Sequence, residues 1–117
     1  MAFEQIPYDR WGDFLDGFNR RHARWLVTLE DAPWHGASRV FLRNVPLVGV
    51  SLEPDRLLVG LAGPEGHLDH VVADPLNLWR AYTSDGSDLG LDVEGGGGIR
   101  LRLRFRSAAH PELVDGV

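Results

Sequence analysis

From Tyr8 to His22 the apolar and aromatic side chains fall at Trp11, Phe14, Leu15 and Phe18, with His22 one turn further along the same stripe. That spacing predicts an amphipathic helix. Pro7 and Asp9 stand where a helix start favours a fixed φ and a carboxylate near free N–H groups. Asp16 and Arg20 add a favourable pair four residues apart, whereas Gly12 and Gly17 each cost up to about 1 kcal/mol relative to alanine. The helix therefore depends on packing its aromatic stripe against something else.

After Arg24 the period shortens to two, with Trp25, Val27 and Leu29 on one face and Leu26, Thr28 and Glu30 on the other. This predicts a first strand. Asp31 to Ser38, with Pro33, Trp34, His35 and Gly36, reads as a loop. Arg39 to Val45 reads as a second strand ended by Pro46, and Leu47 to Leu52 as a third. Further strands follow over 56–62, 67–73, 76–83, 89–94 and 99–106, separated by Glu53-Pro54-Asp55, Gly63-Pro64-Glu65-Gly66, Asp74-Pro75, Ser84 to Asp88 and Gly95 to Gly98. The fold class expected is α+β: one N-terminal amphipathic helix packed on a mostly antiparallel β-meander of about seven strands. Strand spacing leaves open both a strongly curved sheet and a partial barrel. A chain of 117 residues predicts one domain spanning 1–117.

The last strand alternates strictly. Ile99, Leu101, Leu103 and Phe105 face one way, and Arg100, Arg102, Arg104 and Arg106 the other. The strand before it puts Leu89, Leu91 and Val93 on its apolar face and Asp92 and Glu94 on its polar face. Cross-strand neighbours share a face, so paired residue numbers must sum to an even number and the hairpin loop must be odd. Two registers satisfy this. One pairs Asp92 with Arg100 and Asp88 with Arg104; the other pairs Glu94 with Arg100 and Asp92 with Arg102. Either sets acids against arginines, which predicts a solvated face of weak ion pairs, each worth roughly 0.2–1 kcal/mol. The competing reading is an anion-binding ladder.

Composition narrows the function classes. Hydrophobic residues make up 44% of the chain, with four tryptophans, enough for one core. The absence of cysteine excludes disulfides and thiolate chemistry and fits a reducing compartment. No basic segment leads into an apolar stretch at the N-terminus, and no apolar run approaches the roughly 20 residues of a membrane span. A cytoplasmic location is the expectation, with no membrane partner. A net charge of −5 disfavours general nucleic-acid binding. All twelve cations are arginine, which excludes Schiff-base chemistry and a P-loop lysine.

Candidate chemistry is sparse. His67 and His70, three apart on a strand, point to opposite faces, so they predict no metal pair. Gly95 to Gly98 has neither a following helix nor a lysine and reads as a hairpin loop. Gly-x-Ser-x-Gly is absent, and Thr83 to Ser87 reads as a turn. No catalytic residue, metal site or cofactor is expected. Trp11, Trp25 and Trp79 are expected in the core or in one aromatic cluster between helix and sheet. The residues that remain for contact with a ligand or partner are Arg104, Arg106, His22, His70 and Trp34. Trp34, beside Pro33 in a loop, is the best candidate for an exposed anchor.

With those residues laid out, the chain resembles a small uncharacterised bacterial protein family known only as a domain of unknown function. The resemblance rests on Ile6-Pro7, Trp11, Phe14, Phe18, Arg21-His22 and Trp25 to Glu30 at one end. At the other it rests on Leu103-Arg104-Phe105-Arg106-Ser107, Pro111-Glu112 and Val114-Asp115-Gly116-Val117, with Pro46-Leu47 and His67-Leu68-x-His70 between. It implies one intact domain and no mechanism. A tail of this composition is expected to dock on the sheet through Glu112 and Asp115. The leading functional expectation is a non-catalytic interaction or accessory protein, self-associating or bound to a protein partner. The alternative is a small anionic-ligand binder or minor enzyme whose site lies between helix and sheet and uses Arg104, Arg106 and His22 or His70.

Overall fold

A computed structural model of the protein describes residues 1–109. The expected tail contact of Pro111 to Val117, like His110, lies outside the described residues. A short strand β1 (Ala2–Gln5) leads through a 3-10 turn at Tyr8–Arg10 into α1 (Trp11–His22). Seven strands follow: β2 (Leu26–Asp31), β3 (Arg39–Leu52), β4 (Arg56–Gly63), β5 (Gly66–Ala73), β6 (Asn77–Tyr82), β7 (Asp88–Glu94) and β8 (Arg100–Ala109). They form one antiparallel sheet in the order β1-β6-β7-β8-β2-β3-β4-β5.

The sheet is therefore two meanders, β2-β3-β4-β5 and β6-β7-β8, joined where β8 returns beside β2. β5 does not pair with β6; Asp74-Pro75-Leu76 carries the chain across instead. β3 differs from expectation because Pro46 does not end it. The strand passes through Pro46, pairing with β2 on one side of the bend and with β4 on the other. Proline is tolerated because the ladder there uses its neighbour, with the Leu47 N–H donating to the Trp25 carbonyl at 2.8 Å. Register shifts beside Thr28 and at Asn44 (φ 51°) add to the curl.

Curling brings the end of β5 against the β7–β8 turn. A Cβ on Gly95 would lie 2.7 Å from the Ala73 carbonyl and 2.8 Å from the Val72 side chain. Among the described residues no ladder joins β5 to any strand but β4, so the sheet is not closed. Its concave face holds one core, with Val27, Leu29, Leu47, Leu57, Leu61, Leu78, Leu91, Leu101 and Leu103 all buried.

Helix α1 lies over the open part of this core, burying Trp11, Leu15, Phe18 and His22. Its aromatic stripe performs the packing that the two glycines make necessary. Phe18 stacks on Phe105 at 5.7 Å between ring centroids, and the Trp11 indole N–H donates to the Ile6 carbonyl at 2.9 Å. Asn19 adds a polar tie, accepting from the Val50 N–H and donating to the Val50 carbonyl, both at 2.8 Å. The amide group packs over Gly49, where a Cβ would come within 3.4 Å of it.

Candidate functional site

The β7–β8 hairpin takes the second predicted register, with Glu94 opposite Arg100, Asp92 opposite Arg102 and the loop running from Gly95 to Ile99. The contacts are nevertheless diagonal. Asp92 meets Arg100 at 2.5 Å and Arg104 at 2.7 Å, while Arg102 turns to Glu30 of β2 at 3.2 Å. Asp92 is wholly buried by the guanidinium groups laid over it. The face is thus not the solvated ladder that alternation suggested. It is a packed polar layer on the outer side of the sheet, where ions shed much of their water and each must keep a partner. Burial lowers the Arg104 pKa, and the Asp92 charge opposes that shift.

Trp34 caps one end of this layer. Its loop folds over the outer face, where the indole N–H donates to Glu94 at 2.7 Å. The Arg100 guanidinium sits 4.0 Å from its ring centroid, and the Trp79 ring meets it edge-on at 6.1 Å. Hydrogen bonds from Asn77 and then Trp34 hold the Glu94 carboxyl below the usual carboxylate range. Trp34 still exposes 53% of its surface. It is an anchored ring that remains open to solvent, and Gln5 extends the polar row by donating to Asn77 at 2.8 Å. At the other end Phe3 lies 5.8 Å from the Arg104 guanidinium. Trp79 belongs to this outer face and not to the core cluster expected of it, because register places it opposite Asp92.

His22 occupies the other side of the sheet. A bulge between Asp88 and Gly90 turns Asp88 away from the arginine row and toward the core. There its carboxylate meets His22 Nε2 at 3.2 Å, Arg80 Nε at 2.8 Å and Arg21 Nε at 3.9 Å. His22 Nδ1 lies 2.9 Å from the Phe18 carbonyl. Both ring nitrogens therefore lie against oxygens. Burial pushes the Asp88 carboxyl up, but the hydrogen bonds from His22 and Arg80 outweigh it and leave the pKa below its ordinary value. The space between helix and sheet is occupied by the His22, Phe105 and Trp25 rings, with His22 centred 4.4 Å from Phe105 and 4.8 Å from Trp25.

The predicted contact residues are thus divided among three places. Arg104 and Trp34 share the outer face, and Arg106 ends the same row exposed. His22 is sealed in the core. His70 lies on β5, in ring contact with Phe41 at 4.9 Å, where burial lowers its pKa against the opposing pull of Asp31. The set of Arg104, Arg106 and a histidine imagined around one anion does not converge. Asp92, Glu94 and Arg100, read from the sequence as members of a solvated ladder, and Trp79, expected in the core or an aromatic cluster between helix and sheet, were not expected to form one site. For Asp92 a signal was present: an acid flanked by Leu91 and Val93, opposite a row of arginines, sits in a strand too apolar to leave it wet.

An uncharacterised protein of Aquifex aeolicus (strain VF5) is 26% identical over 108 residues, covering 92% of this chain and 96% of its own. No family model matches the chain, and no solved structure matches it. The relative agrees with the coarser part of the resemblance drawn from the sequence, a bacterial protein with no assigned activity. No helix among the described residues is long and apolar enough to cross a membrane.

Proposed function

We propose that the chain is a non-catalytic interaction protein whose contact surface is the outer face of β6, β7, β8 and β2, centred on Trp34. The observation that carries this reading is the state of Trp34: half exposed, yet fixed by Glu94, Arg100 and Trp79. A ring ordered before binding loses little freedom when a partner covers it, and tryptophan and arginine together dominate interface hot spots. Arg100, Arg102, Arg104 and Arg106 outnumber Glu30, Asp92 and Glu94 on this face by one charge. The partner that fits is a protein with an apolar spot ringed by carboxylates.

A photo-crosslinking amino acid at Gln5, beside the Trp34 platform, tests this in the native host. A protein adduct is expected there, lost in Trp34→Ala and absent when the probe is placed at Val48 on β3. No adduct at Gln5, or one that survives Trp34→Ala unchanged, overturns the reading.

A further inference from the structure

Among the described residues two strands of the sheet have a neighbour on one side only, β1 and β5. β1 is four residues long, and its Glu4 is held near Arg80 at 3.9 Å. β5 is twice that length and more open, with every residue exposed except His70 and Val72. Leu68 and Val71 expose 44% and 46% of their surface. Beside the strand, Val71, His70, Phe41 and Ile99 line a cleft of about 240 Å³. An edge of this kind offers a row of backbone donors and acceptors to any strand that fits its side chains.

We propose that β5 pairs antiparallel with β5 of a second copy of this chain, in the register that sets Leu68 opposite Leu68. A twofold axis through a continuous sheet requires paired residue numbers to sum to an even number, so that like faces meet. Of the even registers centred on β5, one puts Asp69 opposite Asp69, a like-charge contact. Another puts His70 opposite itself and sets Asp69 against Val71. The register centred on Leu68 puts His67 opposite Asp69 and, by symmetry, Asp69 opposite His67. Within each strand His67 Nε2 and Asp69 Oδ1 already lie 2.8 Å apart. Pairing therefore joins two His–Asp contacts into one alternating row on the outer face. On the other face the two Leu68 side chains cover each other, and Gly66 stands opposite His70 with no side chain to obstruct it.

Sedimentation velocity over a micromolar to near-millimolar series tests both the dimer and its register. The wild-type chain is expected to dimerise as concentration rises. Leu68→Lys sets two ammonium groups on the axis and should leave a monomer, with circular dichroism confirming that this exposed site has not unfolded the domain. His67→Asp sets acid against acid and should weaken the dimer about tenfold or more. The double variant His67→Asp with Asp69→His restores the alternation and should restore association. A wild-type chain that stays monomeric throughout overturns the proposal, as does a double variant no tighter than His67→Asp alone. Trp34→Ala should leave the dimer unchanged, which separates this surface from the Trp34 platform.

Discussion

Asp88 and Asp92 are four residues apart on β7 and both are buried, but the sheet gives them opposite company. Asp92 looks outward into arginines alone, Arg100 and Arg104. Asp88, turned inward by the bulge, meets His22 as well as Arg80 and Arg21. The difference is one of proton chemistry. A guanidinium keeps its charge under any ordinary condition, so the cations around Asp92 cannot be neutralised. An imidazole nitrogen can serve as donor or as acceptor according to its tautomer. One strand thus carries a cluster that has a way to relax and another that has none.

Gly90, between the two acids, should show the largest effect because both clusters depend on it. Its φ is 146°, and a Cβ there would sit 1.9 Å from the Leu103 carbonyl. Gly90→Ala must push β8 away from β7, which removes the bulge that aims Asp88 and the spacing that lets Arg104 reach Asp92. The expected cost is roughly 4 kcal/mol or more, a large part of a small domain's stability. Urea unfolding checks it, and a loss under about 1 kcal/mol would show that the strands are not held this closely.

Asp92→Asn comes next. The amide has the carboxylate's shape, but its NH₂ group must face an arginine N–H, donor against donor, and both guanidinium charges lose their counter-ion. A loss of about 3 kcal/mol is expected, within the range for breaking a buried pair from one side. Asp88→Asn should cost less, about 1 kcal/mol, because an imidazole with its proton on Nδ1, toward the Phe18 carbonyl, presents Nε2 as an acceptor to the new amide. If the two substitutions cost the same, the imidazole gives no relief.

Acid titration separates them further. The Asp88 carboxyl is depressed in the folded chain by His22 and Arg80 against the upward push of burial. The unfolded chain therefore binds more protons in this range, and stability rises with pH. The contribution is present above the unfolded carboxyl value of about 3.9 and is lost as pH falls through the lower folded value. Asp88→Asn should flatten the stability profile below about pH 4, as followed by thermal melts across a pH series.

The same pair of acids shows where the sequence was readable. Alternation in Ile99 to Arg106 and the parity of the hairpin narrowed the β7–β8 register to two, one of which the sheet adopts, because face matching is a local geometric demand. The Asp88 bulge was not readable, since it depends on Gly90 approaching the Leu103 backbone and on His22 arriving from a distant helix. The burial of Asp92 was readable only in part, from Leu91 and Val93 beside it in an apolar strand. What completes it is the long side chains of Arg100 and Arg104 lying over the carboxylate, with Arg100 itself against Trp34 from a loop distant in the chain. Phe18 and Trp11 were placed correctly by helical spacing alone. β1 escaped notice because Ala2-Phe3-Glu4-Gln5 is too short to show a period and gains its strand character only from β6.

The smallest effect tests whether Trp34 belongs to the Asp92 cluster or only shelters it. Trp34→Phe keeps a ring beneath the Arg100 guanidinium but removes the indole N–H that donates to Glu94. On an exposed side chain that loss should cost only about 0.5 kcal/mol. Glu94 keeps its bond from Asn77, which is the larger cause of its lowered pKa, so its carboxyl should rise only part of the way back in an NMR titration. The decisive measurement is the cycle of Trp34→Phe with Asp92→Asn. Arg100 lies between the two residues, touching both. If the double variant equals the sum of the singles, Asp92 alone orders Arg100, and Trp34 rests on a surface already built. A coupling of about 0.5 kcal/mol or more would mean that ring and carboxylate hold Arg100 together. Occupying the Trp34 platform would then be felt in the buried layer beneath it.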